Sequence, residues 1–140
     1  MRTQQEVNAI ITQLCSDLRP LFPQGSMEAI LFGSYARGEA DAESDIDVMV
    51  LVDSSRQDIS EKTWEISSVA ADLLLSRGVL VSPIVENRRC FREKAGFLPF
   101  YQNIVREGYI CSIADTKKLV SDAELFLETV KTFLDRKYKE

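Results

Sequence analysis

Two short apolar runs joined by a polar segment constrain the fold of this chain more than any other feature. The runs are Ala29–Phe32 and Val48–Val52, and each has the length and residue types of a buried β-strand. The polar segment between them begins with the pair Gly33–Ser34 and ends with Asp45 and Asp47. The pattern therefore predicts two adjoining strands that carry a glycine turn and two carboxylates at one end.

Asp45 and Asp47 are separated by one residue at the start of the second predicted strand. Because side chains alternate along a strand, both carboxylates should point to the same face, about 6–7 Å apart along the strand. Paired carboxylates on a rigid edge suit a hard cation such as Mg²⁺, which takes oxygen ligands and retains waters and substrate phosphates. We therefore predict that Asp45 and Asp47 form a metal-binding pair.

The pair Gly33–Ser34 leaves the first strand and precedes a short helical turn, predicted over residues 35–38. Backbone N–H groups, a hydroxyl and a helix N-terminus are groups that suit a phosphate. A phosphate-binding turn and a metal-binding pair on adjoining strands are typical of phosphoryl or nucleotidyl transfer.

The pair Gly33–Ser34, followed after a loop by Asp45-x-Asp47, resembles the signature of the polymerase-β-type nucleotidyltransferase superfamily. The segment Ala36–Gly38 is also similar to that family, and the small size of the chain resembles its minimal nucleotidyltransferases. The resemblance covers about residues 29–86. It implies a polymerase-β-like palm, ATP or another NTP as substrate, and Mg²⁺ held by the two aspartates.

The resemblance also implies roles for the turn that follows the first strand. Gly33–Ser34 would hold the leaving phosphates while a nucleoside monophosphate passes from the NTP to an acceptor hydroxyl. Arg37 would reach the triphosphate. The alternative for Arg37 is a surface charge paired with Glu39 or Asp41.

A third carboxylate often lies on the next strand in this superfamily. That strand is predicted over residues 78–85, where Pro83 favours an edge position or a bulge. Ser82 occupies the expected position, and Glu86 lies four residues further, about 13 Å along an extended strand. This departure leaves two hypotheses open. The chain is either an enzyme of weak activity, with or without Glu86 as the third carboxylate, or a nucleotide-binding protein that has lost catalysis.

Composition narrows the chemistry further. The chain has 140 residues, a net charge of −5 and no histidine. The lack of histidine excludes the usual serine and cysteine nucleophile machinery, so the general base must be a carboxylate, a metal-bound hydroxide or the substrate itself. The acidic charge does not favour broad nucleic-acid binding, and no apolar run is long enough to span a membrane. Three widely spaced cysteines fit a reducing compartment, so we expect a cytoplasmic protein.

Helices are predicted around the strands. An apolar stripe predicts one helix over residues 3–19. A second helix is predicted to begin at a capping box of Asp58 with Glu61 and to run to about Ser76. This second helix has two apolar faces, one of which contains Trp64, and we expect both to be covered.

The order of elements predicts an α/β fold in which a small mixed β-sheet is covered by helices. We expect a single nucleotidyltransferase domain over residues 1–140, with a C-terminal helical segment over residues 97–140. The last helix, predicted over residues 122–137, has a wide apolar stripe and a further apolar residue, Leu125, on its polar side. Part of this surface suits a second chain, either a partner or another copy.

The resemblance points to the same conclusion about a partner. Minimal nucleotidyltransferases are often encoded beside a small helical HEPN protein, and the pair acts as a toxin–antitoxin module. The resemblance therefore implies an acceptor hydroxyl on such a partner. Two alternatives remain: an antitoxin that acts by binding alone, and a transferase with a small-molecule acceptor such as an aminoglycoside.

Overall fold

The computed structural model describes residues 2–111 of the chain. The elements, in chain order, are α1 Gln4–Leu18, β1 Glu28–Phe32, α2 Ser34–Arg37, β2 Ile46–Val52, α3 Arg56–Glu61, α4 Thr63–Arg77, β3 Val81–Asn87, α5 Arg88–Lys94, α6 Pro99–Glu107 and β4 Tyr109–Ile110. The predicted α/β class is confirmed, because helices precede, separate and follow the strands of one sheet.

The four strands form one mixed sheet in the order β3-β2-β1-β4. β1 runs antiparallel to its neighbours β2 and β4, whereas β2 and β3 are parallel. The register places Phe32, the last residue of β1, opposite Asp47 near the start of β2. It places Ser82 of β3 opposite Asp47 on the other side. The sheet therefore brings these three residues side by side at one edge of the ladder.

Helices cover both faces of the sheet. On one face, Val48 and Val52 pack with buried residues of α1 and with Leu73 of α4. On the other face, Met49 and Leu51 pack with buried residues of α5 and α6. β2 is almost entirely apolar because its alternate residues are buried on opposite faces of the sheet.

The strongest local patterns correspond to observed elements. The strands predicted from the two apolar runs are confirmed at Glu28–Phe32 and Ile46–Val52. The helix predicted over residues 3–19 is confirmed as α1, and the Thr3 side chain caps it by accepting a hydrogen bond from the Glu6 N–H. These elements are determined by sequence periodicity and capping chemistry that act within a few residues.

The capping box predicted from Asp58 and Glu61 is wrong. Ser55 caps α3 instead, because its hydroxyl accepts a hydrogen bond of 3.1 Å from the Asp58 N–H. The helical stretch is also interrupted at Lys62, whose φ of −104° and ψ of 15° end α3 before α4 begins at Thr63. Serine and aspartate are both good N-caps, so the local pattern offered two starting points.

The expectation that both apolar faces of the second helix are covered is wrong for the described residues. Trp64 is 81% exposed and Leu75 is 84% exposed, whereas Leu73 is buried. The reason is that α4 packs against α1 and β3 with one face only. Its other face points away from the sheet.

The third strand begins later than predicted. Gly78 ends α4 in the left-handed conformation, with a φ of 64°, and pairing with β2 starts at Val81. The predicted edge position of Pro83 is confirmed within the described sheet, because β3 pairs with β2 alone. An edge strand tolerates the missing N–H of proline, which would leave a gap in a central ladder.

Two further expectations concern membrane-spanning helices and the predicted C-terminal helix. No helix within residues 2–111 is long and apolar enough to cross a membrane. The helix predicted over residues 122–137, with its apolar stripe and Leu125, lies outside the described residues.

Candidate functional site

Gly33 lies where β1 passes into α2, directly beside the Asp47 side chain. Its φ of 76° and ψ of −154° belong to a region that is nearly restricted to glycine. A Cβ at this position would lie 2.3 Å from Oδ2 of Asp47. The Gly33 backbone and the Asp47 carboxylate are therefore packed together, and a larger residue would displace one of them.

Ser34 begins α2, the short helix that follows Gly33. The first N–H groups of a helix have no partner within it, and with a serine hydroxyl they form a set of donors for an anion. The helical turn predicted over residues 35–38 is thus present and starts at Ser34, one residue earlier. Gly38 ends it in the left-handed conformation, with a φ of 72°.

The Asp47 carboxylate lies in an environment that disfavours its negative charge. Burial raises the pKa of Asp47, the negative charge of Asp45 raises it further, and the positive charge of Arg37 partly opposes both effects. A bound cation would offset the repulsion that the negative charge of Asp45 exerts on the Asp47 carboxylate.

A cavity of about 430 Å³ lies beside this pair of strand ends. Its lining includes four of the residues predicted from the sequence, namely Gly33, Ser34, Arg37 and Asp47. Asp45 instead lines a separate cavity. The volume is within the range of small-molecule sites.

Helix α6 forms another wall of the same cavity, with Phe100, Asn103 and Glu107. These three residues were not predicted from the sequence. Their spacing places them on one face of the helix, which is the only signal that the sequence contains. Nothing local indicates that this face lies over Gly33 and Asp47, because α6 comes much later in the chain.

Arg37 is held by two carboxylates at the cavity wall. Its Nε lies 3.0 Å from Glu39, and its Nη1 lies 3.3 Å from Glu107. The hydrogen bond to Glu39 is the main reason that the pKa of Arg37 is raised. The predicted alternative of pairing with Glu39 is therefore observed, whereas Asp41 accepts a hydrogen bond from the Glu43 N–H.

The structure separates the two candidates for a third carboxylate position. Ser82 lies opposite Asp47, so a hydroxyl stands where the resemblance implies an acid. Glu86 is only 6% exposed, and its carboxylate accepts hydrogen bonds of 3.1 Å from both Lys94 and Tyr101. Glu86 therefore holds α5 and α6 to β3 and is not among the residues that line the cavity.

Among the described residues, Asp45 and Asp47 are the pair of carboxylates predicted to hold a cation. Within residues 2–111, no three histidine, cysteine or acidic side chains come together as a metal cluster. Asp45 and Asp47 nevertheless fit Mg²⁺, which commonly uses one or two protein carboxylates and completes its shell with waters and substrate phosphates.

Comparison with known proteins assigns the chain to a family. The sequence model described as "Nucleotidyltransferase domain" matches residues 11–110. A putative protein adenylyltransferase of Methanocaldococcus jannaschii is 36% identical over 81 residues, which are 58% of this chain and 73% of the relative. A second one from the same organism is 38% identical over 80 residues, which are 57% of this chain and 79% of that relative.

A third relative and a solved structure extend the comparison. The protein adenylyltransferase MntA of Thermococcus cleftensis is 44% identical over 50 residues, which are 36% of this chain and 48% of that protein. A toxin–antitoxin crystal structure with AMP-PNP contains a chain that matches with a TM-score of 0.54 and 23% identity. The match covers 92% of this chain and 87% of that chain. At this identity, the structural match shows a common fold.

Proposed function

The chain belongs to the nucleotidyltransferase domain family, and from this membership we propose that it transfers AMP from ATP to a hydroxyl on a partner protein. The transfer of a nucleotide is the activity of the family. Adenine as the base and a protein as the acceptor are proposals, which the names of the adenylyltransferase relatives support.

The observation that carries the proposal is the contact between Gly33 and Asp47. It joins the turn that we propose to bind phosphate to a carboxylate across two strand ends, with Ser34 and Arg37 on the wall of the same cavity. Nucleotide transfer requires a phosphate-binding group and a carboxylate that are no further apart than the length of a triphosphate. Both must act on the same substrate, because negative charge develops on the phosphate that reacts.

Each group has a role that its chemistry supports. Ser34 and the first N–H groups of α2 would hold the phosphates that leave, and Arg37 would exchange a carboxylate partner for a phosphate oxygen. Asp45 and Asp47 would hold Mg²⁺. When bound there, the metal would stabilise negative charge on the triphosphate.

The proposed acceptor is a hydroxyl on a toxin protein, for which the HEPN-type partner implied by the resemblance is the candidate. A chain similar in fold was solved in a toxin–antitoxin complex, which supports a partner of this kind.

We also propose a cytoplasmic reaction, because all three cysteines are free thiols, as is usual in reducing compartments.

A second candidate function is nucleotide binding without turnover. The observation that favours it is Ser82 opposite Asp47, where a third carboxylate is absent. In that case the chain would neutralise its partner by binding alone, and the cavity would be a nucleotide sensor.

The test is transfer of labelled AMP from ATP to the co-purified partner, read by mass spectrometry. Asp47→Asn should abolish labelling with little loss of fold, because the side chain keeps its shape while its charge is removed. Asp72→Asn, on the exposed surface of α4, is the matched control and should label normally.

Each other outcome has a defined meaning. Wild-type labelling by Asp47→Asn would overturn the site. Binding of ATP and of the partner without labelling would favour the second candidate. Labelling of small hydroxyl compounds alone would assign a small-molecule acceptor.

A further inference from the structure

The face of α6 that borders the cavity carries three different chemical groups. They are the ring of Phe100, the amide of Asn103 and the carboxylate of Glu107. Phe100 and Glu107 are separated by about 10 Å along the helix axis. The wall therefore changes from aromatic to amide to acidic along its length.

The acidic end of this wall is tied to the phosphate-binding side. Glu107 pairs with Arg37 at 3.3 Å, and Ser34 lines the same cavity. When Arg37 binds a phosphate oxygen instead, the Glu107 carboxylate loses this partner and repels the triphosphate. The triphosphate should therefore stay at Ser34 and Arg37 and not extend along α6. The uncharged end of the wall, at Phe100 and Asn103, is left for the uncharged part of the ligand.

Phe100 has the properties of a stacking platform. Its ring meets Phe32 at 5.8 Å and Tyr101 at 5.6 Å, in both cases nearly at right angles. These edge contacts hold the ring in one orientation. Phe100 is still 49% exposed, and it lines the cavity.

Asn103, one helical turn further, presents an amide that both donates and accepts. The edge of adenine offers an acceptor at N7 and a donor at the N6 amino group, which such an amide satisfies with two hydrogen bonds. Guanine offers two acceptors at the corresponding positions, so the asparagine carbonyl would be left facing an acceptor.

We infer that α6 is the nucleoside-binding wall of the site: Phe100 stacks on the base, and the Asn103 amide selects adenine. The inference rests on the proposed function, since it assigns the base of the same nucleotide. It adds two residues that lie outside the glycine–serine and aspartate motif.

The test compares binding of three probes by calorimetry in the presence of Mg²⁺: ATP, GTP and inorganic tripolyphosphate. Phe100→Leu should weaken ATP binding about tenfold and leave tripolyphosphate binding unchanged, because stacking acts on the base alone. Phe100→Trp should retain ATP binding, which separates loss of stacking from loss of fold. Phe97→Leu is the matched control, because Phe97 is a neighbouring phenylalanine, 61% exposed, outside the cavity.

Asn103→Ala should reduce the preference for ATP over GTP about tenfold. Gln102→Ala is its matched control and should leave the preference unchanged. The inference is overturned if Phe100→Leu weakens ATP and tripolyphosphate equally, if Phe97→Leu weakens ATP as much as Phe100→Leu, or if Asn103→Ala keeps the preference. A wild-type chain that binds none of the three probes would instead overturn the proposed function.

Discussion

Substitution of Gly33 by alanine tests the contact on which the site depends. The change adds one methyl group at a φ of 76° and a ψ of −154°, where an alanine backbone is strained by about 1–3 kcal/mol. For a domain of this size, we expect the melting temperature to fall by roughly 4–12 °C.

The larger effect should be on activity. The added Cβ would lie 2.3 Å from Oδ2 of Asp47, so the carboxylate must move by about 1 Å to restore normal contact. A displacement of this size at a reacting centre lowers rates by about 100-fold. We therefore expect kcat/KM for labelled-AMP transfer, per folded molecule, to fall by about that factor.

Substitutions at two other glycines are controls that distinguish the effect of backbone strain from the effect of displacing Asp47. Gly25 has a φ of 66°, and a Cβ there would meet Oδ2 of Asp53, which follows the opposite end of β2. Gly25→Ala should therefore destabilise the protein while transfer per folded molecule is preserved. Gly38 has a φ of 72° with no atom within 4 Å of a Cβ, so Gly38→Ala should show backbone strain alone.

The measurements are thermal melting by circular dichroism and initial rates of labelled-AMP transfer, corrected for the folded fraction. The reasoning is refuted if Gly33→Ala transfers AMP at the wild-type rate. It is also refuted if Gly25→Ala loses as much activity per folded molecule as Gly33→Ala, since the loss would then follow from strain anywhere in the fold.

Two further predictions concern residues near and away from the site. Ser82→Asp places an acid opposite Asp47, so the variant should bind Mg²⁺ at least as tightly as the wild type and transfer AMP equally fast or faster. Weaker Mg²⁺ binding in a metal titration would contradict the placement of residue 82 beside the metal site. Burial raises the pKa of Cys15 to about 12 and that of Cys111 to about 11. Above about pH 9 the unfolded chain therefore releases thiol protons that the folded chain retains, and the melting temperature should fall. At about pH 8, a thiol reagent should label Cys90 first and the two buried thiols only on unfolding; equal labelling rates would contradict their burial.

The sequence alone was sufficient for the elements whose causes are local. The strands at Glu28–Phe32 and Ile46–Val52 follow from apolar runs, and α1 follows from an apolar stripe with a threonine cap. Gly33 and Asp47 could be expected to lie near each other, because their strands follow one another in the chain and consecutive strands are usually neighbours.

Features that depend on packing between distant elements could not be read from local pattern. Trp64 belongs to an apolar face, yet it is exposed, because only the position of α1 and the sheet decides which face of α4 is covered. Likewise, Glu86 has the right charge and strand parity for the site, but its buried bonds to Lys94 and Tyr101 give it a different task.

The wall formed by α6 depends most on the tertiary structure. Phe100 and Asn103 have ordinary helical spacing, and their significance comes from packing α6 over β1, which brings them to Gly33 and Asp47. The motif could be recognised in the sequence because its groups are close along the chain. The residues of α6 that face the motif could not be recognised in this way, since a side chain's neighbours across a cavity are determined by how whole elements pack.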